Sequence, residues 1–382
     1  MVRHLTPPRG QRDERTMSAE YVMVGGFLGA GKTTALLRLA AHFAAAGRRV
    51  GLITNDQSQG LVDTSIVQAS GYPVEEITGG CFCCRFTSLT EAADRLARTS
   101  APEVFLAEPV GSCTDLRATV QYPLRRLYGD DYRMAPLSVL VDPTRAQRVL
   151  GLALGRSFSA KVQYVYETQL DEADLIVVNK TDLLGEEDRQ RLEDALRARF
   201  PHADVLAMSA RTGAGLDRWI ARLSAEASVR PAGEVDYDRY AEGEALLGWV
   251  NATCRLSASR PFDGNQWLET LAAGVHRRLS AADIEVAHFK MTLAPDAGAD
   301  LAVMNLVRTD GRAESVHRLA EPLTEGELIL NLRAEGDPDR LLELALASLG
   351  ETARAARVTA TIVHSEHFRP ARPEPTWRMA VP

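Results

Sequence analysis

Residues 25–34 read GGFLGAGKTT, and this stretch decides the fold. Its glycines, lysine and threonine have the spacing of a phosphate-binding P-loop, G-x4-G-K-[ST]. In such a loop the backbone N–H groups surround the phosphates, the lysine reaches the β- and γ-phosphates, and the threonine hydroxyl binds Mg²⁺. The following helix adds its partial positive charge. The predicted nucleotide-binding residues of this loop are Gly26, Gly29, Ala30, Gly31, Lys32, Thr33 and Thr34.

The segments around the loop alternate between short apolar runs and helix-like stretches. The runs are continuously apolar, as strands buried on both faces require. The sequence therefore predicts an α/β fold, a P-loop NTPase with a doubly wound, mostly parallel sheet. The strand-like runs are YVMVGGF, RRVGLITND, EVFLAEPVG, PLSVLVDP, ADLIVVNKTD and ADVLAMSA.

The motif NKTD indicates which base is bound. Asn179, Lys180 and Asp182 follow a buried strand, where the Asp182 carboxylate can accept hydrogen bonds from N1–H and the exocyclic amine of guanine. Adenine would leave that carboxylate unpaired, at a cost of about 1–3 kcal/mol. The next strand ends at Ser209 and Ala210, which we interpret as a second base-contacting loop. GTP is therefore favoured over ATP.

Two further segments carry candidates for Mg²⁺ and γ-phosphate contacts. Glu108 ends a strand where a P-loop protein needs a carboxylate near Mg²⁺, and Gly111 can bring its backbone close to the γ-phosphate. The polar stretch LITNDQSQGLVDTSIV is typical of a switch loop, with Asn55, Asp56 and Asp63 as candidates for Mg²⁺ or the attacking water; an ordinary polar loop is the alternative. The predicted catalytic residues are Lys32, Thr33, Glu108 and Asp56, of which Thr33 and Glu108 hold Mg²⁺.

The stretch GGCFCC holds three of the five cysteines of the chain, Cys81, Cys83 and Cys84. Cysteines this close in sequence rarely form a disulfide, because the required geometry strains the chain. Three thiolates on one turn can instead bind a soft or borderline cation and leave a fourth position open. Redox chemistry and core packing remain alternatives. Cys113 is a fourth ligand, a coupling element or a packing residue.

The composition limits the class of protein. With 382 residues, 45% of them hydrophobic, the chain is long enough for two domains. A net charge of −7 argues against broad attraction to nucleic acid. No apolar run is long enough to span a bilayer, and the opening residues do not resemble a secretory signal. A clustered, odd number of cysteines is typical of a reducing compartment, so we expect a cytoplasmic protein.

The C-terminal part follows a different pattern, in which strand, helix and strand occur twice. This order predicts a smaller α+β domain, ferredoxin-like, with helices on one face, and we interpret it as a lid or client-recognition module. Cys254 is expected in its core, and His364 and His367 could form a weak metal site only on a turn. The predicted divisions are a disordered tail 1–19, a P-loop domain 20–228, a linker 229–243 and the C-terminal domain 244–382.

These motifs together resemble the CobW-type GTPases, relatives of the HypB and UreG maturation proteins, over approximately Tyr21 to Leu223. The resemblance implies a metallochaperone that hydrolyses GTP with Mg²⁺ and carries a transition metal on Cys81, Cys83 and Cys84. Zinc is the expected metal, with Co²⁺, Ni²⁺ or Fe²⁺ as alternatives. This chain departs from the pattern at Asp56, where such proteins commonly have Glu, and in having no long His-rich segment.

The resemblance also implies a client apo-metalloprotein as partner, and a homodimer is an expectation from resemblance alone. No nucleic acid or membrane partner is expected. An alternative function is a GTP-regulated protein-binding module in which zinc is structural; its metal would stay bound through the GTP cycle. A P-loop kinase is disfavoured by the guanine-type loops.

Overall fold

The computed structural model of the protein describes residues 18–57, 62–225, 227–298 and 300–382. The predicted disordered tail therefore lies almost entirely outside the described residues, as do four residues of the predicted switch loop, 58–61. The strands of the described part form two sheets, the first built from the N-terminal part of the chain and the second from the C-terminal part.

The first sheet is parallel, with the order β3-β2-β4-β1-β6-β7-β8 and with β5 beside the start of β1. The chain proceeds in opposite directions on the two sides of β1, so a crevice forms at the carboxyl ends of the central strands, where ligands bind in this class of fold. The prediction of a doubly wound, mostly parallel sheet is confirmed. The strands are β1 Ala19–Gly26, β2 Val50–Asn55, β3 Val74–Ile77, β4 Val104–Glu108, β5 Tyr132–Met134, β6 Ser138–Val141, β7 Leu175–Val178 and β8 Asp204–Ala207.

Helices cover both faces of this sheet. In β1, Val22 and Val24 pack into one apolar layer, whereas Tyr21 and Met23 pack into the other. Because successive side chains point to opposite faces, a strand covered on both sides must be apolar throughout. The helices are α1 Lys32–Ala45, α2 Val62–Ala69, α3 Phe86–Thr99, α4 Tyr122–Tyr128, α5 Pro143–Val149, α6 Ala160–Glu172, α7 Glu186–Arg199 and α8 Leu216–Leu223.

The second sheet is antiparallel, with the order β12-β11-β10-β13-β9-β14. Strand β13 lies between β9 and β10, and β9 lies between β13 and β14. These two interleaved strand-helix-strand units confirm the ferredoxin-like prediction, to which β11 and β12 add a hairpin. The elements are α9 Tyr237–Leu246, β9 Leu247–Phe262, α10 Gly264–Ala281, β10 Glu285–Pro295, β11 Ala302–Leu306, β12 Glu314–His317, β13 Leu323–Glu335, α11 Pro338–Ala356 and β14 Thr359–Phe368.

The two faces of the second sheet have different partners. Phe289 and Met291 of β10 pack in the core formed with α10 and α11, which also contains Cys254. Trp249 on the opposite face of β9 packs in the core of the first domain. His288 and Lys290 alternate with the core residues of β10, so they point toward the first domain. The second domain therefore lies over the P-loop side of the first.

Glu172, at the end of α6, gives the protein a testable pH dependence. Its carboxylate is buried and accepts a hydrogen bond of 2.9 Å from the backbone N–H of Arg117. Burial raises the pKa of Glu172 to about 8. Because the folded pKa lies above the ordinary value of 4.5, the stability that this group contributes is complete below about pH 4.5 and is lost as pH rises through about 8.

Glu172→Gln keeps an acceptor for Arg117 but cannot ionise. We expect the variant to gain free energy of unfolding relative to the wild type as pH rises from about 4.5 to about 8, by a few kcal/mol at most. Urea unfolding at a series of pH values measures this difference. Glu187→Gln, at an exposed position of α7, is the control. A Glu172→Gln difference that stays constant with pH would contradict the prediction.

Candidate functional site

The P-loop lies between β1 and α1 and needs glycine at two positions. Gly31 has φ 88°, and a Cβ there would lie 2.5 Å from Nδ2 of Asn179. Gly26 has φ 131°, and a Cβ there would lie 2.3 Å from the carbonyl oxygen of Leu140. Larger residues would therefore be strained and would collide with neighbouring atoms. The loop is pressed against both the base-contacting segment and strand β6.

The predicted Mg²⁺ and phosphate residues meet beside this loop. The hydroxyl of Thr33 lies 2.8 Å from Oδ1 of Asp63 and 3.1 Å from Oε1 of Glu108. Nζ of Lys32 is 3.9 Å from Oε1 of Glu108. Burial raises the pKa of Glu108 to about 7, against the opposing effect of Lys32. Burial also lowers the pKa of Lys32.

The donor atoms at this point fit Mg²⁺. Thr33 and Glu108 supply a hydroxyl and a carboxylate, the hard oxygen donors that Mg²⁺ prefers. Oε2 of Glu108 is buried and has no hydrogen-bond partner among the described residues. An unpaired carboxylate oxygen in a buried position is costly, and a bound cation would satisfy it.

The second domain places two cations and a histidine at the same site. Lys290 forms an ion pair with Oδ1 of Asp63, the atom that also contacts Thr33. Nη2 of Arg333 lies 3.7 Å from Oδ1 of Asp56, and its guanidinium stacks on Trp249. The pKa of His288 is well below its usual value, first because of burial and then because of surrounding cations, of which Lys290 acts most strongly. Three cations, Lys32, Lys290 and Arg333, therefore border this site, and each is paired with a carboxyl group of the first domain.

Asn179 and Lys180 connect the P-loop to the base-contacting segments. Nδ2 of Asn179 donates to the carbonyl of Ala30 at 2.9 Å, and its Oδ1 accepts from the N–H of Ala210 at 2.9 Å. Nζ of Lys180 donates to the carbonyl of Gly29 at 2.7 Å. These two residues fix the relative positions of three loops.

The remaining base-site residues meet at the end of β8. Oγ of Ser209 donates to Oδ1 of Asp182 at 2.5 Å, and Nη1 of Arg211 is 3.8 Å from the other carboxylate oxygen. Arg211 thus lies beside the predicted base-reading carboxylate. Thr34 is exposed on α1, whereas Gly111 lies so close to the P-loop that a Cβ would be 2.8 Å from Cδ2 of Leu28.

Asn55 is placed differently from Asp56 and Asp63. Its Nδ2 donates to the carbonyl of Ile77 at 2.9 Å and to that of Gly80 at 2.7 Å. Through its Nδ2, Asn55 therefore fixes the turn that leads into the cysteines, while its Oδ1 is buried and has no hydrogen-bond partner among the described residues. The end of β2, which begins the predicted switch loop, is joined in this way to the cysteine cluster.

The three predicted metal-binding cysteines converge. Sγ of Cys81 lies 2.8 Å from Sγ of Cys83 and 3.3 Å from Sγ of Cys84, and the Cys83 and Cys84 sulfurs are 3.7 Å apart. All are free thiols, and within the described residues they are the group of side chains arranged to hold a metal ion. Sulfur donors at this spacing suit a soft or borderline cation such as zinc.

Cys113 also lies at this cluster, with its Sγ 3.8 Å from Sγ of Cys83. Hydrogen bonds from Cys81 and Cys83 lower the pKa of Cys113 to about 6. Hydrogen bonds with Cys113, Cys81 and Cys84 raise the pKa of Cys83.

A C-terminal segment, residues 374–380, covers the exposed side of the cluster. The N–H of Glu374 donates to Sγ of Cys84 at 3.2 Å, and the N–H of Thr376 donates to the carbonyl of Cys83 at 2.9 Å. Farther along, Nε of Arg378 pairs with Oδ2 of Asp115 at 2.8 Å. Access to Cys84 therefore depends on this segment.

A family comparison identifies the N-terminal domain. Residues 20–207 match the family described as CobW/HypB/UreG, nucleotide-binding domain. The chain carries a CobW/HypB/UreG domain. Within it lie the P-loop, the Glu108 segment, the NKTD motif and the cysteine cluster.

Two curated relatives are similar to part of this chain. The chain is 29% identical over 173 residues to the zinc chaperone YeiR of Escherichia coli, which covers 45% of this chain and 49% of that protein. It is 26% identical over 196 residues to the zinc chaperone CobW of a Sinorhizobium species, covering 46% and 55%. This chain thus spans about half the length of the curated relatives it matches. The crystal structure of the Zn(II)-bound YjiA GTPase from E. coli is 16% identical, with a TM-score of 0.37, covering 87% of this chain and 99% of that one.

Several residues around the CobW/HypB/UreG domain were not predicted. Lys290 of β10 and Arg333 of β13 come from the second domain; for Lys290 the alternation of polar and apolar residues in β10 was the available signal. His364 and His367 lie on β14 rather than on a turn, and His367 pairs with Asp339 at 2.7 Å.

In the part of the chain that the structure describes, no helix is long and apolar enough to cross a bilayer.

Proposed function

We propose that the protein is a GTP-hydrolysing metallochaperone that carries a transition metal, principally zinc, on its cysteine cluster. The observation that supports this most directly is the short connection between the two sites. Asn55, at the end of β2, is bonded to Gly80, which immediately precedes Cys81. The segment that begins at Glu108 and passes Gly111 ends at Cys113. Two elements that border the phosphates therefore also border the thiols.

The roles follow from the geometry. Lys32 and the P-loop amides bind the phosphates, and Lys290 and Arg333 add positive charge from the opposite side. Thr33 and Glu108 would hold Mg²⁺, which when bound neutralises charge on the β- and γ-phosphates. Asp182 selects guanine. Asp56 and Asp63, now paired with Arg333 and Lys290, are the candidates for orienting the attacking water.

GTP binding would compete with these ion pairs. The γ-phosphate offers Lys290 and Arg333 a stronger anionic partner than Asp63 and Asp56, so the carboxylates are released and the start of the switch segment moves. Because Asn55 joins that segment to Gly80, the movement reaches the cysteines. Metal affinity then differs between nucleotide states by the usual coupling of a few kcal/mol at most. The metal would be transferred to a client metalloprotein from the nucleotide state that binds it more weakly.

An anaerobic Zn²⁺ titration against a competing chelator tests this proposal, with GDP or a non-hydrolysable GTP analogue bound. We expect a Zn²⁺ affinity that differs about tenfold between the two states, or about 1.4 kcal/mol. The matched variant carries Cys81→Ser, Cys83→Ser and Cys84→Ser and should lose the tight site. Phosphate release from GTP with Mg²⁺, with and without Zn²⁺, gives the hydrolysis.

Tight Zn²⁺ binding with the same affinity in both nucleotide states would contradict the proposed chaperone function. That result would favour the alternative, a GTP-regulated binding module with structural zinc, and chelation should then lower the unfolding temperature sharply. If Zn²⁺ still bound but its affinity no longer depended on which nucleotide was present, the nucleotide site and the metal site would be independent of each other.

A further inference from the structure

Cys113 has no role in the function proposed above, yet its thiol lies against the cluster. Its side chain is 1% exposed. Its Sγ is 3.8 Å from Sγ of Cys83. This buried thiol therefore lies beside the sulfur of a cluster residue, which a residue that only fills the core does not require.

Two of the sulfur–sulfur distances match those of a tetrahedral metal site. A zinc ion with Zn–S bonds of about 2.3 Å places its four sulfurs about 3.8 Å apart. The distances of Cys83 to Cys84 and to Cys113 are 3.7 and 3.8 Å. Cys81 is closer to Cys83, at 2.8 Å. The sulfurs of Cys81, Cys83 and Cys84 all lie within 4.8 Å of one another, and Cys113 adjoins this group at Cys83 without belonging to it. The structure therefore shows three sulfurs gathered and a fourth beside them.

The backbone around Cys113 is held in place independently of the cluster. Nε2 of Gln169 in α6 donates to the carbonyl of Gly111 at 3.0 Å and to that of Cys113 at 2.8 Å. The N–H of Thr114 donates to the hydroxyl of Tyr240 at 3.2 Å. The position of the Cys113 thiol is thus set by the Glu108 segment and the helices behind it, not by the turn that carries the other three cysteines.

We propose that Cys113 is a fourth thiolate ligand of the carried metal and that it transmits the nucleotide state to the metal site; this inference rests on the proposed function. Gly111 lies against the P-loop, where the γ-phosphate would meet it, so its displacement moves Cys113 relative to the turn of Cys81. One nucleotide state then gives four thiolates and the other gives three. A site of this kind is closed for carriage and open for transfer.

Cobalt(II) is the probe, because its absorption reports the number of thiolates and the coordination geometry. Co²⁺ is titrated anaerobically into the full chain, the wild type beside Cys113→Ala, with GDP and with a non-hydrolysable GTP analogue. In the state that binds more tightly, Cys113→Ala should lower the sulfur-to-cobalt charge-transfer absorption per bound ion by about a quarter, from four thiolates to three. The affinity should fall about tenfold or more, and the ratio between nucleotide states should approach one.

Cys254→Ala is the control, because that thiol is buried in the core of the second domain. It should match the wild type in both absorption and nucleotide ratio. GTP affinity of Cys113→Ala, measured separately, shows whether the variant is folded; if it is impaired, Cys113→Ser provides a second variant with the same expected loss of charge-transfer absorption.

Two results would overturn the inference, and they are distinguishable. An unchanged Co²⁺ spectrum and nucleotide ratio in a folded Cys113→Ala protein would show that Cys113 only packs, and would leave the proposed function intact. Wild-type protein whose Co²⁺ binding does not depend on Cys81, Cys83 and Cys84 would overturn the proposed function and this inference together.

Discussion

Asp182→Asn is expected to change the nucleotide preference from GTP to xanthosine triphosphate. Asp182 offers two acceptors to N1–H and the exocyclic amine of guanine. An asparagine presents one acceptor and one N–H donor, and its donor faces the guanine amine. Xanthine carries an oxygen at that position and restores the second hydrogen bond. Because hydrogen bonds to charged groups contribute about 1.5–3 kcal/mol each, we expect GTP affinity to fall about 100- to 1000-fold.

Competition between labelled GTP and unlabelled xanthosine triphosphate measures the switch. Asp188→Asn, at an exposed position of α7, is the control and should bind GTP as the wild type does. Asp182 also accepts a hydrogen bond from Ser209, so the unfolding temperature of Asp182→Asn must be compared with that of the wild type. Normal GTP affinity in a folded Asp182→Asn protein would show that this carboxylate does not read the base.

Lys32→Ala is expected to reduce GTP affinity about 100-fold or more. Lys32 is 7% exposed, and its charge meets that of the phosphates inside the protein rather than in water. Removing one partner of a buried, hydrogen-bonded charge pair typically costs 2–5 kcal/mol or more. The change also removes the cation that opposes the raised pKa of Glu108, so more of that carboxyl stays protonated near neutral pH and binds Mg²⁺ less well.

Calorimetric titration with GTP and Mg²⁺ tests this expectation. Lys161→Ala is the matched control, since Lys161 is an exposed lysine on α6 that pairs with Glu242. Lys290→Ala gives an intermediate case: it removes a cation from the other side of the site but leaves the P-loop intact, and should cost about tenfold. Equal affinities for the Lys32 and Lys161 variants would exclude the P-loop as the phosphate site.

Local sequence predicted the parts of the site that depend on local geometry. The P-loop glycines, the NKTD motif and the three adjacent cysteines each lie within a few residues, so their spacing already indicated that the members of each group lie close together. The parallel sheet was predictable for a similar reason, because continuous apolar runs are required wherever helices cover both faces of a strand.

Contacts between distant segments were not predictable. Lys290 reaches Asp63 only because the second sheet turns its polar face toward the P-loop, and no spacing in the sequence records that contact. Asn55 was expected near Mg²⁺ from its polar surroundings, yet its amide satisfies two carbonyls of the adjoining turn. The predicted linker contains the start of α9. Tyr240 of this helix is buried, and the hydroxyl of Tyr237 donates a hydrogen bond to Asp115. The polar sequence of the segment did not indicate these contacts.

The segment that covers Cys84 has a consequence for the period in which the ribosome synthesises the protein. Cys84 and Glu374 are separated by 290 positions. At about 5–20 residues per second, synthesis leaves the cysteine turn uncovered for roughly 15–60 s. During that interval the nascent chain presents thiols without their cover, to metal and to oxidants alike. The first metal ion can therefore reach the thiols before the C-terminal segment covers them, and the availability of zinc during translation would decide how much newly made protein starts out loaded.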